Sequence, residues 1–129
     1  MKVVWLFVLL CSSMLRGAAQ ESLNCAENTD KLNFAEQAVP DLRFLVACKH
    51  VKKLYLSFNM IKDISPLANL TELEELWISY NPIKTLEPLL ALNNLKIIAL
   101  DMEQIERLKP QQWVSQDKVY VDIDERQIK

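Results

Sequence analysis

The stretch LYLSFNMIKDISPL, Leu54 to Leu67, returns 22 residues later as LWISYNPIKTLEPL, Leu76 to Leu89. Leucine or isoleucine, asparagine, isoleucine and proline recur at one fixed offset. Aligned at that spacing, Val51, Leu73 and Leu95 form a column. So do Leu54, Leu76 and Ile98; Leu56, Ile78 and Leu100; Ile61, Ile83 and Ile105; and Ile64, Leu86 and Leu108. Pro66, Pro88 and Pro110 form another, and Leu67 pairs with Leu89 as Leu70 does with Leu92. Self-similarity at a fixed period of this length is the mark of a stacked repeat. The pattern reaches back more weakly through Leu32, Phe34, Val39, Leu42, Leu45 and Cys48, and forward to Val119, Val121 and Ile123, where the spacing slips by one residue.

Leu54 and Leu56 alternate at period two, so they point to one side of a short strand. One such strand cannot bury its apolar face alone. Successive coils, stacked with their strands in parallel, turn the leucine columns into one continuous core. Asn59 and Asn81 stand where the chain leaves the strand, and an amide there can bond the backbone of neighbouring coils. Glu103 takes that place in the third coil, which predicts a looser turn. Pro66 and Pro88 fix φ where the chain starts back, through a short helical or 3₁₀ turn.

These residues, L-x-x-L-x-L-x-x-N-x-I over successive copies, resemble the leucine-rich repeat signature. The stretch NMIKDISPLANLTELEELWIS is similar to the 22-residue repeat of the internalin family of bacterial surface proteins. The resemblance covers residues 51–110 well and the flanks loosely. It implies an α/β fold: a short right-handed solenoid with a parallel β-sheet on its concave face and helical or 3₁₀ turns on its convex side. It also implies a protein that binds another protein.

The ends read differently. Lys2 precedes an apolar run from Val3 to Leu15, and Gly17-Ala18-Ala19 supplies small residues for cleavage. Thirteen residues fall short of the about 20 that span a bilayer as a helix. Residues 1–19 therefore read as a secretory signal peptide rather than a retained anchor, which predicts a secreted or periplasmic protein without stable membrane insertion. Residues 20–50 read as an N-terminal cap with its first strand near Leu32 to Phe34. Residues 51–110 are the repeats, and residues 111–129 a C-terminal cap and tail with a strand at Lys118 to Ile123.

Removing residues 1–19 takes away Lys2, Arg16 and Cys11. The chain carries 15 basic and 17 acidic residues, so 13 basic residues then face the same 17, a net charge of −4. With no surplus of lysine and arginine for phosphates, a nucleic-acid partner is not expected. Cys25 and Cys48 remain, an even number in an exported chain. A disulfide between them is the favoured reading, and a buried Cys48 thiol beside a free Cys25 the alternative.

Chemistry is sparse. His50 is the only histidine, and no nucleophile or carboxylate pair recurs beside a base. One histidine and two cysteines cannot assemble a zinc site, and the acidic run Asp122, Asp124, Glu125 reads as a solvated tail rather than a calcium site. The only glycine, Gly17, falls in the signal segment, so the mature chain has no phosphate-cradling glycine loop. No enzyme, metal or cofactor is expected.

The residues that alternate with the leucines face outward on the concave surface. They fall in columns: Tyr55, Trp77 and Ala99; Phe58, Tyr80 and Met102; Ser57, Ser79 and Asp101; Lys53, Glu75 and Ile97. The one-residue slip brings Tyr120 beside the first column. An exposed aromatic patch of this kind marks an interaction site, and Tyr and Trp are enriched at binding hot spots. The competing reading is strand propensity and edge packing. Tyr55, Phe58, Trp77, Tyr80, Met102 and Tyr120 are accordingly the candidate protein-binding residues. Two functions fit: an exported module that binds another protein (adhesin, inhibitor or adaptor), or a structural, self-associating protein whose aromatic face forms a homodimer. A stable monomer in solution disfavours the second.

Overall fold

The computed structural model describes residues 25, 29–110 and 119–122. The expected signal segment and most of the C-terminal cap lie outside the described residues. Five short strands form one parallel sheet in chain order: β1 (Lys31–Asn33), β2 (Lys53–Tyr55), β3 (Glu75–Trp77), β4 (Ile97–Leu100) and β5 (Val119–Asp122). The register follows the repeat, with Leu32 opposite Leu54, Leu54 opposite Leu76 and Leu76 opposite Ile98.

Between the strands the chain returns through 3₁₀ turns at Arg43–Leu45, Ser65–Asn69 and Glu87–Ala91. Pro66 and Pro88 sit in the first positions of the last two turns, where a fixed φ suits the turn and a missing N–H costs nothing. The core is one continuous column of repeat residues from Leu32 to Leu100, with Leu54, Leu76, Leu67 and Leu89 all at 0% exposure. The weak backward pattern is as well buried as the strong one: Phe34, Val39, Leu42, Leu45 and Cys48 are all in this core. Cys48 is bonded to Cys25, with Cα atoms 5.1 Å apart, tying the segment before β1 to the first coil. In the chain-entropy model, closing a loop of that length stabilises the fold by about 3 kcal/mol.

The asparagines form a buried ladder. Asn59 Nδ2 donates to Phe34 O, 2.9 Å, in the preceding coil and to Leu56 O, 2.8 Å, in its own. Its Oδ1 accepts from the amides of Gln37 and Val39, 3.1 and 2.9 Å. Asn81 repeats the scheme one coil on, donating to Leu56 O and Ile78 O and accepting from the Ile61 amide, at 2.9, 3.1 and 3.1 Å. These amides satisfy backbone groups that the turn would otherwise bury unpaired.

The third coil corrects two expectations. Where Glu103 predicts a looser turn, the chain forms the α-helix α1 (Met102–Leu108). Asp101 caps it, its Oδ1 accepting from the Gln104 amide at 3.0 Å while Gln104 Oε1 accepts from the Asp101 amide at 3.1 Å. Gln104 also continues the ladder: its Nε2 donates to Ile78 O and Asn81 O, 2.9 and 3.0 Å, from a fully buried side chain. A longer amide one residue later replaces the missing asparagine. The second correction concerns Tyr120. The spacing does not slip; β5 pairs Ile98 with Tyr120 and Ala99 with Val121. Tyr120 therefore occupies the register position of Leu54, Leu76 and Ile98, not that of Tyr55 and Trp77.

Candidate functional site

Each three-residue strand turns its central leucine inward, and the residues on either side line the concave face. Parallel pairing then places Lys31, Lys53, Glu75 and Ile97 in one row and Asn33, Tyr55, Trp77 and Ala99 in the next. Adjacent members of a row are about 4.8 Å apart by the strand spacing. Tyr55 and Trp77 meet with ring centroids 5.6 Å apart and planes inclined by 40°. Phe58 and Tyr80 stack nearly parallel, 4.4 Å apart and 9° off. All four aromatic side chains are half-buried. The expected aromatic neighbours are thus brought together, as two pairs.

The two pairs differ in backbone. Phe58 and Tyr80 have φ of 59° and 57°, in the left-handed region, as does Glu36 at the same position of the first coil. This turn swings the following asparagine inward to the ladder. It costs a residue with a Cβ about 1–2 kcal/mol. The Phe58 amide donates to Ser79 O, 3.0 Å, and the Tyr80 amide to the carboxylate of Asp101, 2.6 Å. Stacking adds about 0.5–1.5 kcal/mol per pair. The Phe58–Tyr80 pair is therefore tied to holding the strand exit.

Tyr55 and Trp77 lie in the strands and converge on Glu75. Its Oε1 accepts from Trp77 Nε1, 2.7 Å, and from the Tyr55 hydroxyl, 3.2 Å; its Oε2 pairs with Lys53 Nζ at 3.3 Å. Lys31 Nζ stands 4.9 Å from the centre of the Tyr55 ring. Burial pushes the Glu75 carboxyl upward, but the donors Trp77 and Lys53, the Lys53 charge and the Tyr55 hydroxyl outweigh it and hold it below its usual range. The hydrogen bond and negative charge of Glu75 raise Lys53, and burial together with that charge raises the Tyr55 phenol.

Three expected outward positions are closed. Ser57, Ser79 and Asp101 are buried, at 7%, 0% and 5% exposure, and Ser79 Oγ donates to Ser57 Oγ at 2.9 Å. Ala99 is buried as well. The row between the two aromatic pairs is thus a hydrogen-bonded seam. Met102 begins α1 and is 55% exposed; Ile97 at the rim of β4 is also exposed. Beside α1 an open cleft of about 420 Å³ is lined by Tyr80, Asn81, Pro82, Asp101, Glu103 and Arg107. Its charged groups serve the fold: Arg107 pairs with Glu103 at 2.7 Å and bonds Ile83 O. Among the described residues no three metal-ligating side chains gather, and no helix is long and apolar enough to cross a membrane.

Residues 49–91 match the family model of leucine-rich repeats, in two copies. These residues carry leucine-rich repeats, and the parallel-stranded solenoid built on them is the leucine-rich repeat fold. Its fold is similar to the crystal structure of internalin C2 from Listeria monocytogenes, with a TM-score of 0.59 and 27% identity over 74% of this chain and 42% of that one. A second internalin from the same organism aligns with a TM-score of 0.40 and 18% identity, over 74% and 41% of the respective chains. The chain thus spans less than half the length of either internalin. Among curated proteins, none matches it.

Proposed function

We propose that this leucine-rich repeat protein is an exported module that binds another protein through the aromatic part of its concave face, with Trp77 at the centre. One observation carries the proposal. Tyr55 and Trp77 form a ring pair on the strands yet keep part of their surface open, while the neighbouring Leu54 and Leu76 fill the core completely. A tryptophan held by a hydrogen bond and a ring contact, with part of its surface open, is a rigid anchor that loses little side-chain entropy on binding. Tyr80, Phe58 and exposed Met102 extend the face towards α1. The Cys25–Cys48 disulfide fits an oxidising compartment, in keeping with export.

Affinity capture from the source organism tests this, with the wild-type chain, Trp77→Ala and a control at an exposed residue outside the aromatic rows, Lys84→Ala, as baits. Proteins of the binding class should be retained by wild type and Lys84→Ala and lost with Trp77→Ala. Truncation of a hot-spot tryptophan weakens binding by about 2 kcal/mol or more. If everything captured by the wild type is also captured by Trp77→Ala, the concave aromatic face is not the binding surface.

A further inference from the structure

The charges around Tyr55 and Trp77 narrow the partner's chemistry. The inward half of the pattern is self-contained: both oxygens of Glu75 are engaged, Oε1 by Trp77 and Tyr55 and Oε2 by Lys53, and its side chain is only 16% exposed. Asp101, the other carboxylate of the outward rows, is buried and accepts from the amides of Tyr80 and Gln104. Neither acid is free to receive a cation. The lysines are placed differently. Lys53 remains 53% exposed while using one carboxylate oxygen, and exposed Lys31 stands in register beside it, over the Tyr55 ring, with no ion pair among the described residues. Of the two exposed carboxylates of the first coil, Glu36 lies at the opposite, exit edge of the face, in the row of Phe58 and Tyr80, and Asp30 immediately precedes β1, outside the outward rows. In the outward row at the start of β1 and β2 both charges are therefore positive, although the chain as a whole is negative.

We propose that this end of the row takes an acidic segment of the partner protein, a short stretch in which a carboxylate side chain neighbours an aromatic or aliphatic one. The carboxylate is met by the paired ammonium groups of Lys31 and Lys53, and the apolar neighbour packs on Tyr55 and Trp77. A basic segment at the same place faces two like charges, and Glu75, the acid of that row, is already engaged, a mismatch that disfavours wrong partners. The proposal rests on the aromatic face being the binding surface and adds the sign of what it binds.

A displayed library of random peptides, panned on the purified full chain, reads both. Peptides whose retention needs Trp77 should be enriched in Asp and Glu beside apolar residues. Their affinity should fall as salt is added, because the exposed charges are screened. The double variant Lys31→Glu, Lys53→Gln should weaken them by about tenfold or more, mainly through slower association. Its urea midpoint, measured alongside, should stay close to the wild type's. Trp77-dependent peptides that are neutral or basic, or whose binding ignores both salt and the double variant, overturn the acidic-segment proposal and leave the aromatic face standing. Absence of any Trp77-dependent peptide overturns both. The salt series on the unmodified chain keeps the test decisive even where the double variant folds poorly.

Discussion

Leu76 and Trp77 are adjacent in sequence, comparably apolar, and part of the same three-residue strand. One is sealed in a column that runs through every coil; the other leans on Tyr55 and hydrogen-bonds a carboxylate at the surface. The inner row is made of one kind of residue and depends on shape alone. The outer row mixes aromatic rings, lysines and an acid, and its polar atoms find partners within the row. That contrast separates what holds the coils together from what they present.

The contrast can be broken by mutation. Leu54→Ala should be the most damaging, costing about 2–5 kcal/mol of unfolding free energy by chemical denaturation, because it opens a cavity in a column with no slack. Asn81→Ala should follow at about 2–3 kcal/mol. Leu56 O keeps Asn59 and Ile78 O keeps Gln104, but the buried Ile61 amide loses its acceptor. Tyr55→Ala should cost only about 1 kcal/mol, the size of one aromatic pair contact at a partly buried site. An equal loss in Leu54→Ala and Tyr55→Ala would erase the distinction between the rows.

The smallest effect is a pH dependence. Folding holds Glu75 below its ordinary range, so its contribution is fully present above the unfolded pKa of about 4.3 and is lost as pH falls through the lower folded value. The urea midpoint of the wild type should therefore drop more steeply below about pH 4.5 than that of Glu75→Gln. Parallel curves for the two would show that the carboxylate is not held by Trp77 and Lys53.

The sequence makes the repeat legible because its period, its leucine spacing and its two asparagines are local features. Even the strands of the first coil follow from Leu32 and Phe34 at the same offset. The failures have physical causes. Glu103 hides the ladder's continuation because the amide moved by one residue to Gln104 and needed a longer side chain. Asp101 with Gln104 is a capping box that was readable as a helix start, and the repeat pattern masked it. Ser57 and Ser79 read as outward by alternation, yet they follow the strands, where the chain is already turning and the period of two no longer applies. The positive φ of Phe58 and Tyr80 has no sequence signal, since glycine and asparagine are the usual markers. Glu75 joins Lys53, Tyr55 and Trp77 only through the register of β2 and β3.

Equilibrium urea unfolding of Leu76→Ala and Trp77→Ala, side by side with the wild type, tests the division of the strands into core and presented rows most directly. Leu76→Ala should lose about 2–5 kcal/mol, while Trp77→Ala should lose no more than about 1–1.5 kcal/mol, with the same denaturant slope as the wild type. If Trp77→Ala unfolds as readily as Leu76→Ala, the aromatic row belongs to the core and the binding surface lies elsewhere.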